Sequence, residues 1–401
     1  MIRSGDGVTG FGVDGRNGNL AHYDLAVIGG GIVGLSHALA AARRGLRVCV
    51  IDRERRSNGA SIRNFGFVTV TGQRAGVTWR RAMRSRDIWA EVAPQAGIPV
   101  LHRGTAVIAH RPEAMSVLEQ FAAGTMGADC RLLDPAEVAR AMPVVRPGIQ
   151  GALWSPHELR VEPREALPKL ATFLAAAHGV DFMWGVQARG IEPSGRAAGV
   201  DTTTGRVDAS RVVVCPGGDL LTLFPETLAK RQLTLSKLHM LRLAPQPSGW
   251  TLPGSIMQDL SLVRYEGYTD LPGVPALAAR LRAEAGDALD NGIHLIVVRS
   301  ADGSLVVGDS HHYDQTPDPF APAEVDDIIL RHAAETLDIP NMTVTERWLG
   351  TYPSSASETA FVDNPDPAVR IAVVSSGTGM STAFAIGEEV VADLFGDQSA
   401  A

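Results

Sequence analysis

Three glycines at a fixed spacing, followed by one acid, point to a nucleotide. Gly29, Gly31 and Gly34 form a G-x-G-x-x-G, with Ile32 and Val33 before the last glycine. In that pattern the first glycine permits a tight turn, the second lets backbone approach a pyrophosphate, and the third allows close packing of helix on sheet. Asp52 stands near the ~20-residue spacing at which a carboxylate accepts hydrogen bonds from a ribose diol. A second locus is Gly308-Asp309-Ser310-His311-His312-Tyr313. Adjacent histidines on a strand face opposite ways, so at most one of His311 and His312 serves a given pocket. A neutral imidazole there can orient an amine or accept its proton. Adjacent histidines do not readily ligate one ion, and the sequence offers no evident third ligand, so no metal site is expected.

The elements that must position the glycines are legible around them. Leu25 to Ile28 is a short apolar run that reads as a buried parallel strand. Ile32 to Arg44 is rich in Ala and Leu, contains no proline and reads as a helix. Leu46 to Ile51 is a second apolar run that ends at Asp52. This is the strand–helix–strand setting that a dinucleotide fingerprint requires. Free N–H groups and the helix dipole at the start of that helix favour a phosphate. Arg43, Arg44 and Arg47 interrupt the stretch, which argues against a membrane span.

At 401 residues the chain can bury a large core and is expected to form two domains. A hydrophobic fraction of 45% and a charged fraction of 20% suit a globular protein. A net charge of −7 argues against nucleic-acid binding. Cys49, Cys130 and Cys215 are far apart and form no C-x-x-C, so neither a disulfide framework nor a zinc site is expected, and a reducing cytoplasm fits. The first 22 residues lack the apolar core of a secretory signal and read as a mobile tail.

After Asp52-Arg53 comes Ser57-Asn58-Gly59-Ala60-Ser61-Ile62-Arg63-Asn64-Phe65-Gly66. Such a polar loop can pass over a pyrophosphate, with Ser61 and backbone amides as donors. The combination of fingerprint, Asp-Arg and this G-A-S-x-R-N-x-G loop resembles the D-amino-acid oxidase family of FAD-dependent amine oxidoreductases, which includes glycine oxidase and sarcosine oxidase. The resemblance implies that the fingerprint binds the ADP half of FAD and that the loop, with Ser61, Arg63, Asn64 and Gly66, runs beside the pyrophosphate and isoalloxazine. It implies that Val186 offers its backbone to the adenine. It also implies that Pro216 and Gly217, after the buried strand Arg211 to Cys215, approach the cofactor, although alanine or threonine is usual where Pro216 stands. Gly377-Thr378-Gly379-Met380 resembles the family's late G-x-G-M turn, whose following helix would aim its positive end at the flavin N1–C2 region.

The same resemblance implies an α/β fold. Its Rossmann-like FAD-binding domain, with a parallel sheet and βαβ start, would take residues 23–90, 155–230 and 340–401. A discontinuous α+β substrate domain on a mixed antiparallel sheet would take 91–154 and 231–339. Helices are expected over 78–93, 115–124, 135–142, 164–177, 276–289, 326–337 and 381–395, and strands include 180–184, 185–187 and 344–353.

For the chemistry, the resemblance assigns the substrate's anion to Arg299, whose planar guanidinium can bind carboxylate or phosphonate in bidentate fashion. Lys237, Tyr265, Tyr352 and Gln73 are further substrate candidates, with His239, His294, Tyr268 and Trp348 behind them. The segments RNFG…TGQ, KLHMLR and GDSHHY resemble a subgroup associated with aminophosphonate breakdown. The expected substrate is then a small anionic amine, 2-aminoethylphosphonate or an N-methyl derivative, oxidised at its C–N bond by hydride transfer to flavin and imine hydrolysis. A glycine, sarcosine or D-amino acid oxidase, an NAD-dependent dehydrogenase and a non-catalytic FAD-binding subunit are the alternatives. The family's oxygen-assisting lysine is missing near Arg299, which leaves the electron acceptor open between oxygen and another, and the assembly open between a monomer and a homo-oligomer. The family's covalent flavin attachments use a histidine near the first motif or a late cysteine. Residues 59–61 hold no histidine and no cysteine follows Cys215, so FAD is expected to be non-covalent. Acid precipitation of the yellow protein should leave a colourless pellet and free FAD in the supernatant.

Overall fold

The computed structural model describes residues 22–195 and 197–396. The expected tail over 1–22 therefore lies, apart from His22, outside the described residues. Strand β1 (Tyr23–Ile28) runs into helix α1 (Ile32–Ala42), which returns to strand β2 (Val48–Asp52). β1 and β2 are parallel, with Leu25 opposite Val48 and Ile28 opposite Ile51. On its other side β1 pairs in parallel with Gly205–Val214, and that strand pairs in parallel with Val369–Val374. Asp181–Trp184 extends the parallel order beyond β2, and Ala360–Asp366 closes the far edge antiparallel.

β1 is apolar throughout its centre because both faces of this sheet are covered. Leu25 and Val27 pack on α1, Val77–Gln95, Pro163–His178 and Gly379–Phe395. Ala26, Cys49 and Ile51 pack on the opposite side with Val200, Val207, Leu223 and Leu228. Buried parallel strands lose the polar–apolar alternation for this reason.

The second sheet is mixed. Its main path runs His312–Asp314, Thr234–Leu243, Leu305–Gly308, Ile296–Arg299, Ser255–Gln258, Val100–Ala109, Gly151–Val161 and Phe67–Val68. Only the pairing of Ser255–Gln258 with Val100–Ala109 is parallel along this path. Val344–Ser354 lies along Thr234–Leu243, and its end forms a bridge from Ser354 to Ser376.

The expected elements shift in physically explicable ways. Residues 185–187 are not a strand. Gly185 turns the chain at φ 74°, and Val186 N–H donates to the Asp52 carbonyl. The helix expected over 276–289 is two, Val274–Glu284 and Gly286–Asp290, broken at Ala285 before a glycine. The last helix begins at Gly379 rather than Ser381. Pro168 stays within Pro163–His178 without ending it. Asp134 and Glu137 cap Pro135–Ala141 reciprocally, as the Asp-Pro opening suggests. The division expected between 154 and 155 falls inside Gly151–Val161, and Val344–Ser354 joins the second sheet although it lies within 340–401. Among the described residues, no helix is long and apolar enough to cross a membrane.

α1 crosses the end of β1 with backbone against backbone. A Cβ on Gly34 would sit 1.8 Å from the Gly29 carbonyl oxygen, which no side chain can relieve. Gly34→Ala is expected to cost about 1–3 kcal/mol of stability by forcing helix and strand apart, read as a lowered urea midpoint.

Candidate active site

Two helix starts meet at the end of the first sheet. Gly29 leaves β1 at φ 110°, where a Cβ would lie 2.3 Å from the Cys215 carbonyl oxygen. The next helix, α1, carries no acid in its first turn and no side-chain cap. Gly379–Phe395 begins with neither as well, and a Cβ on Gly379 would lie 3.4 Å from Ile32 Cγ2. Two converging helix dipoles with no acid in either first turn make this corner electropositive. Residues 57–66 fold over it. Ser61 Oγ accepts from Ile32 N–H at 2.9 Å, and Ser57 Oγ donates to the Gly30 carbonyl at 2.6 Å. Asn64 ties its own loop together, donating to Ala60 and accepting from Gly66 N–H. Asp52 Oδ2 accepts from Gly30 N–H at 2.5 Å and Oδ1 from Glu54 N–H at 2.8 Å. Burial raises the Asp52 carboxyl above its ordinary range, against the pull of those two N–H groups.

From this corner a cleft runs toward the second sheet. Gly31 to Gly34, Ser61, Arg63, Asn64, Gly217 and Gly377 to Ser381 line its walls, and so do Gln73, Arg264, Tyr265, His294, Asp309, His311, Tyr313 and Tyr352. Tyr352 marks where the two regions touch, since a Cβ on Gly377 would lie 2.8 Å from its ring.

The second region holds opposite charges close together. The Arg264 guanidinium donates to Tyr313 Oη at 2.6 Å. His294 Nε2 lies 2.9 Å from Asp309 Oδ1, and His311 Nε2 lies 3.6 Å from Asp309 Oδ2. His311 Nδ1 is 3.0 Å from the Gly292 carbonyl. A carbonyl only accepts, so the neutral ring carries its proton on Nδ1 and turns a bare Nε2 toward Asp309. Burial pushes the Asp309 carboxyl up, but His294, His311 and Arg264 outweigh it and hold it at about 2. Burial, joined by Arg264, pushes His311 well below its ordinary value. At neutral pH the site therefore presents an anion, a neutral imidazole and a guanidinium.

The cleft gathers part of the sequence's expected set. Gln73, Tyr265, Tyr352 and His311 line it together, as do Gly31, Ile32, Val33, Gly34, Ser61, Arg63, Asn64, Gly217, Gly377, Thr378, Gly379 and Met380. Gly29, Asp52, Gly66, Val186 and Pro216 do not line it. Gly29 and Asp52 shape the turn behind it, Gly66 and Asn64 close the loop, and Val186 lies beside Asp52. Arg53 points away to Asp219 at 2.7 Å.

Arg299, Lys237 and His312 are corrections. On Ile296–Arg299 the cleft-lining residue is Ile296, and a residue three positions on faces the other way. Arg299 instead lies against the Asp302–Gly303 turn, its Nη2 3.4 Å from where a Gly303 Cβ would stand. Lys237 donates to Asp318 and to the Phe320 carbonyl outside the cleft. His312 faces Asn291 and the His239 ring. Of the lesser candidates, His294 lines the cleft, His239 bonds Asp326, Trp348 donates to the Arg63 carbonyl, and Tyr268 is buried. Sequence reasoning missed Arg264 and Asp309. Arg264 follows a four-residue helix with no strand periodicity, and its one cue is the pair of tyrosines at 265 and 268 in a chain of 5% aromatics.

The chain matches the family model DAO, FAD dependent oxidoreductase, over residues 24–394. The chain belongs to this family. FAD is its cofactor, and the two helix starts without an acid in their first turns, the glycine turn and the 57–66 loop fit a dinucleotide. The NAD-dependent alternative falls with that match. This DAO-family chain is 25% identical over 233 residues to the bifunctional protein ThiO/ThiG of Nostoc sp., covering 56% of this chain and 35% of the relative. It thus spans about a third of the length of the curated relatives it matches. Glycine oxidase from Geobacillus kaustophilus has the same fold, with a TM-score of 0.74 at 18% identity over 94% of this chain and 96% of that one. L-proline dehydrogenase from P. horikoshii gives 0.75 at 18% identity over 94% of each chain. The FAD-bound L-alpha-glycerophosphate oxidase of Mycoplasma pneumoniae gives 0.72 at 18% identity, covering 94% and 95%.

One buried histidine makes this corner sensitive to acid. His37 on α1 is fully buried, with Nδ1 2.7 Å from the Val33 carbonyl and Nε2 unpartnered. Burial lowers it to about 4, against that bond. The unfolded chain then binds a proton that the folded chain refuses between about pH 6.5 and 4, so this residue costs stability as pH falls through that window. The loss should reach about 3 kcal/mol below pH 4. Urea midpoints of wild type and His37→Gln across that range should differ in slope.

Proposed function

We propose that the protein uses FAD to oxidise the C–N bond of a small primary or secondary amine that also carries an anion. The observation that carries this reading is the pairing of Arg264 with the Asp309–His311 group in one cleft that continues to the dinucleotide-binding corner. Arg264 binds the anion of the substrate through its planar fork. Tyr313 holds that guanidinium in place. Tyr265 and Tyr352 give the cleft apolar walls that keep water from the reacting carbon. FAD, when bound, accepts the hydride from the carbon next to nitrogen. The resulting imine is hydrolysed to a carbonyl compound and an amine, and oxygen or another acceptor removes the electrons.

The preferred anion is a phosphonate, as in 2-aminoethylphosphonate or its N-methyl derivative. The likeness of RNFG…TGQ, KLHMLR and GDSHHY to the aminophosphonate-associated subgroup supports this. The last two segments lie side by side, Lys237 opposite His312, and the second supplies Asp309 and His311. A carboxylate is the second reading, because a guanidinium fork takes it equally well. Of the three neighbours above, two are named for glycine and L-proline and the third for L-alpha-glycerophosphate.

Anaerobic bleaching of the flavin band tests both readings. Glycine, sarcosine, D-alanine, 2-aminoethylphosphonate and its N-methyl form are the panel. Bleaching by an aminophosphonate is expected; bleaching by amino acids alone favours the carboxylate, and bleaching by none favours a non-catalytic subunit. Arg264→Met should weaken substrate binding roughly 10- to 100-fold while flavin content holds. Arg299→Met should leave binding unchanged.

A further inference from the structure

We infer that Asp309 and His311 together form the amine pole of the site: they bind the substrate as its ammonium, and His311 Nε2 takes the proton before oxidation. The inference deepens the amine reading above and rests on it for the oxidation step.

Asp309 Oδ2 and His311 Nε2 are 3.6 Å apart, too far for a hydrogen bond and close enough to share a third group. Both are acceptors. The Nδ1 proton of His311 is committed to the Gly292 carbonyl, and among the described residues no hydrogen bond is donated to Asp309 Oδ2 or His311 Nε2. Asp309 is 6% exposed, His311 7% and His294 3%. Two buried acceptors side by side are costly unless a ligand brings donors to both. A primary or secondary ammonium brings at least two N–H groups on one atom.

A divalent cation is the competing occupant. The candidate ligand atoms of His294, Asp309 and His311 all lie within 4.8 Å of one another. The third ligand is not legible in the sequence because these residues come from two separate segments. Charge decides between the two. Asp309 and Arg264 face this space, while the cleft's Arg74 and Glu266 pair with each other, so a divalent ion would leave two uncompensated positive charges there. A ligand with an ammonium on Asp309 and an anion on Arg264 leaves none. His294 is a positioning residue, since its Nε2 lies 2.9 Å from Asp309 Oδ1 while Oδ2 is the oxygen nearest His311.

The step balances simply. The ammonium N–H bond breaks, its electron pair stays on nitrogen, and the proton joins His311 Nε2. The nitrogen lone pair then forms the C=N bond as the adjacent carbon gives its hydride to bound FAD, the oxidant. Asp309 stays anionic throughout, offsetting first the ammonium and then the imidazolium.

The test uses the FAD-loaded full chain and ligands that cannot be oxidised. (2-Amino-2-methylpropyl)phosphonate has no hydrogen on the carbon bearing nitrogen, and (2-methylpropyl)phosphonate lacks the amine. The carboxylate pair is 2-amino-2-methylpropanoate and 2-methylpropanoate. Binding is read from the shift of the flavin band. The amine-bearing member should bind roughly 10- to 100-fold tighter in wild type, and Asp309→Asn should bring that ratio near one. The amine-free ligand should bind both proteins alike, which also reports that the variant is folded. In a second arm, flavin reduction at saturating oxidisable amine should be flat in wild type between about pH 7 and 9. His311→Gln should slow it roughly 100-fold at pH 7 and make it rise with pH toward the amine's own pKa. A ratio near one in wild type overturns the inference, as does a ratio that survives Asp309→Asn. Tight one-to-one binding of cobalt(II), with visible bands lost in Asp309→Asn, overturns it in favour of a metal. If no amine reduces the flavin but the Asp309-dependent ratio stands, the oxidation reading fails and the amine pole survives.

Discussion

The cleft is laid out from the point where α1 passes over the end of β1 with no side chain between them. That approach fixes where the first helix starts. The carbonyl of Cys215 closes on Gly29 from the neighbouring strand, and Gly379 brings the last helix to within contact of Ile32. Segments near the beginning, middle and end of the chain are thereby registered to one corner. The 57–66 loop then needs only short contacts, Ser57 and Ser61 to the glycine turn, to be held over it.

Local pattern was enough to find that corner. The glycine spacing, the apolar runs on both sides and Asp52 all lie within one short stretch, and each has a physical requirement that few residue types satisfy. The second region resisted for the opposite reason. Arg264 comes from an irregular turn, His294 precedes one strand, and Asp309 and His311 follow another. The doubled histidine marks His311, but no pattern around Arg264 or Asp309 assigns either a role. Arg299 seemed the better arginine because it sits on a clear strand, but strand alternation, with Ile296 on the cleft side, turns it away. His311 and His312 illustrate the same rule in miniature: one faces the cleft and the other Asn291.

Alternation also keeps two polar clusters apart. On Thr234–Leu243, Leu238 lines the cleft, while Lys237 and His239 face the other side. There Lys237 meets Asp318, and His239 meets Asp326, whose other oxygen accepts from Arg347. These charges are satisfied by one another. In the cleft Arg74 and Glu266 pair with each other, but among the described residues Arg264 has only a phenol as hydrogen-bond partner, and Asp309 has imidazoles on both sides. One face of the sheet is a closed electrostatic network and the other is left open for a ligand.

The strand Val344–Ser354 has a mechanical consequence. It lies along the second sheet for its whole length, receives the Arg63 carbonyl on Trp348, and ends in a bridge to Ser376 beside the last glycine turn. It therefore rivets the ligand wall, the 57–66 loop and the final helix start into one rigid frame. Prising the two sheets apart would break all three attachments at once. Outside that frame, at the rim of the cleft, Tyr313 is half exposed over Arg264.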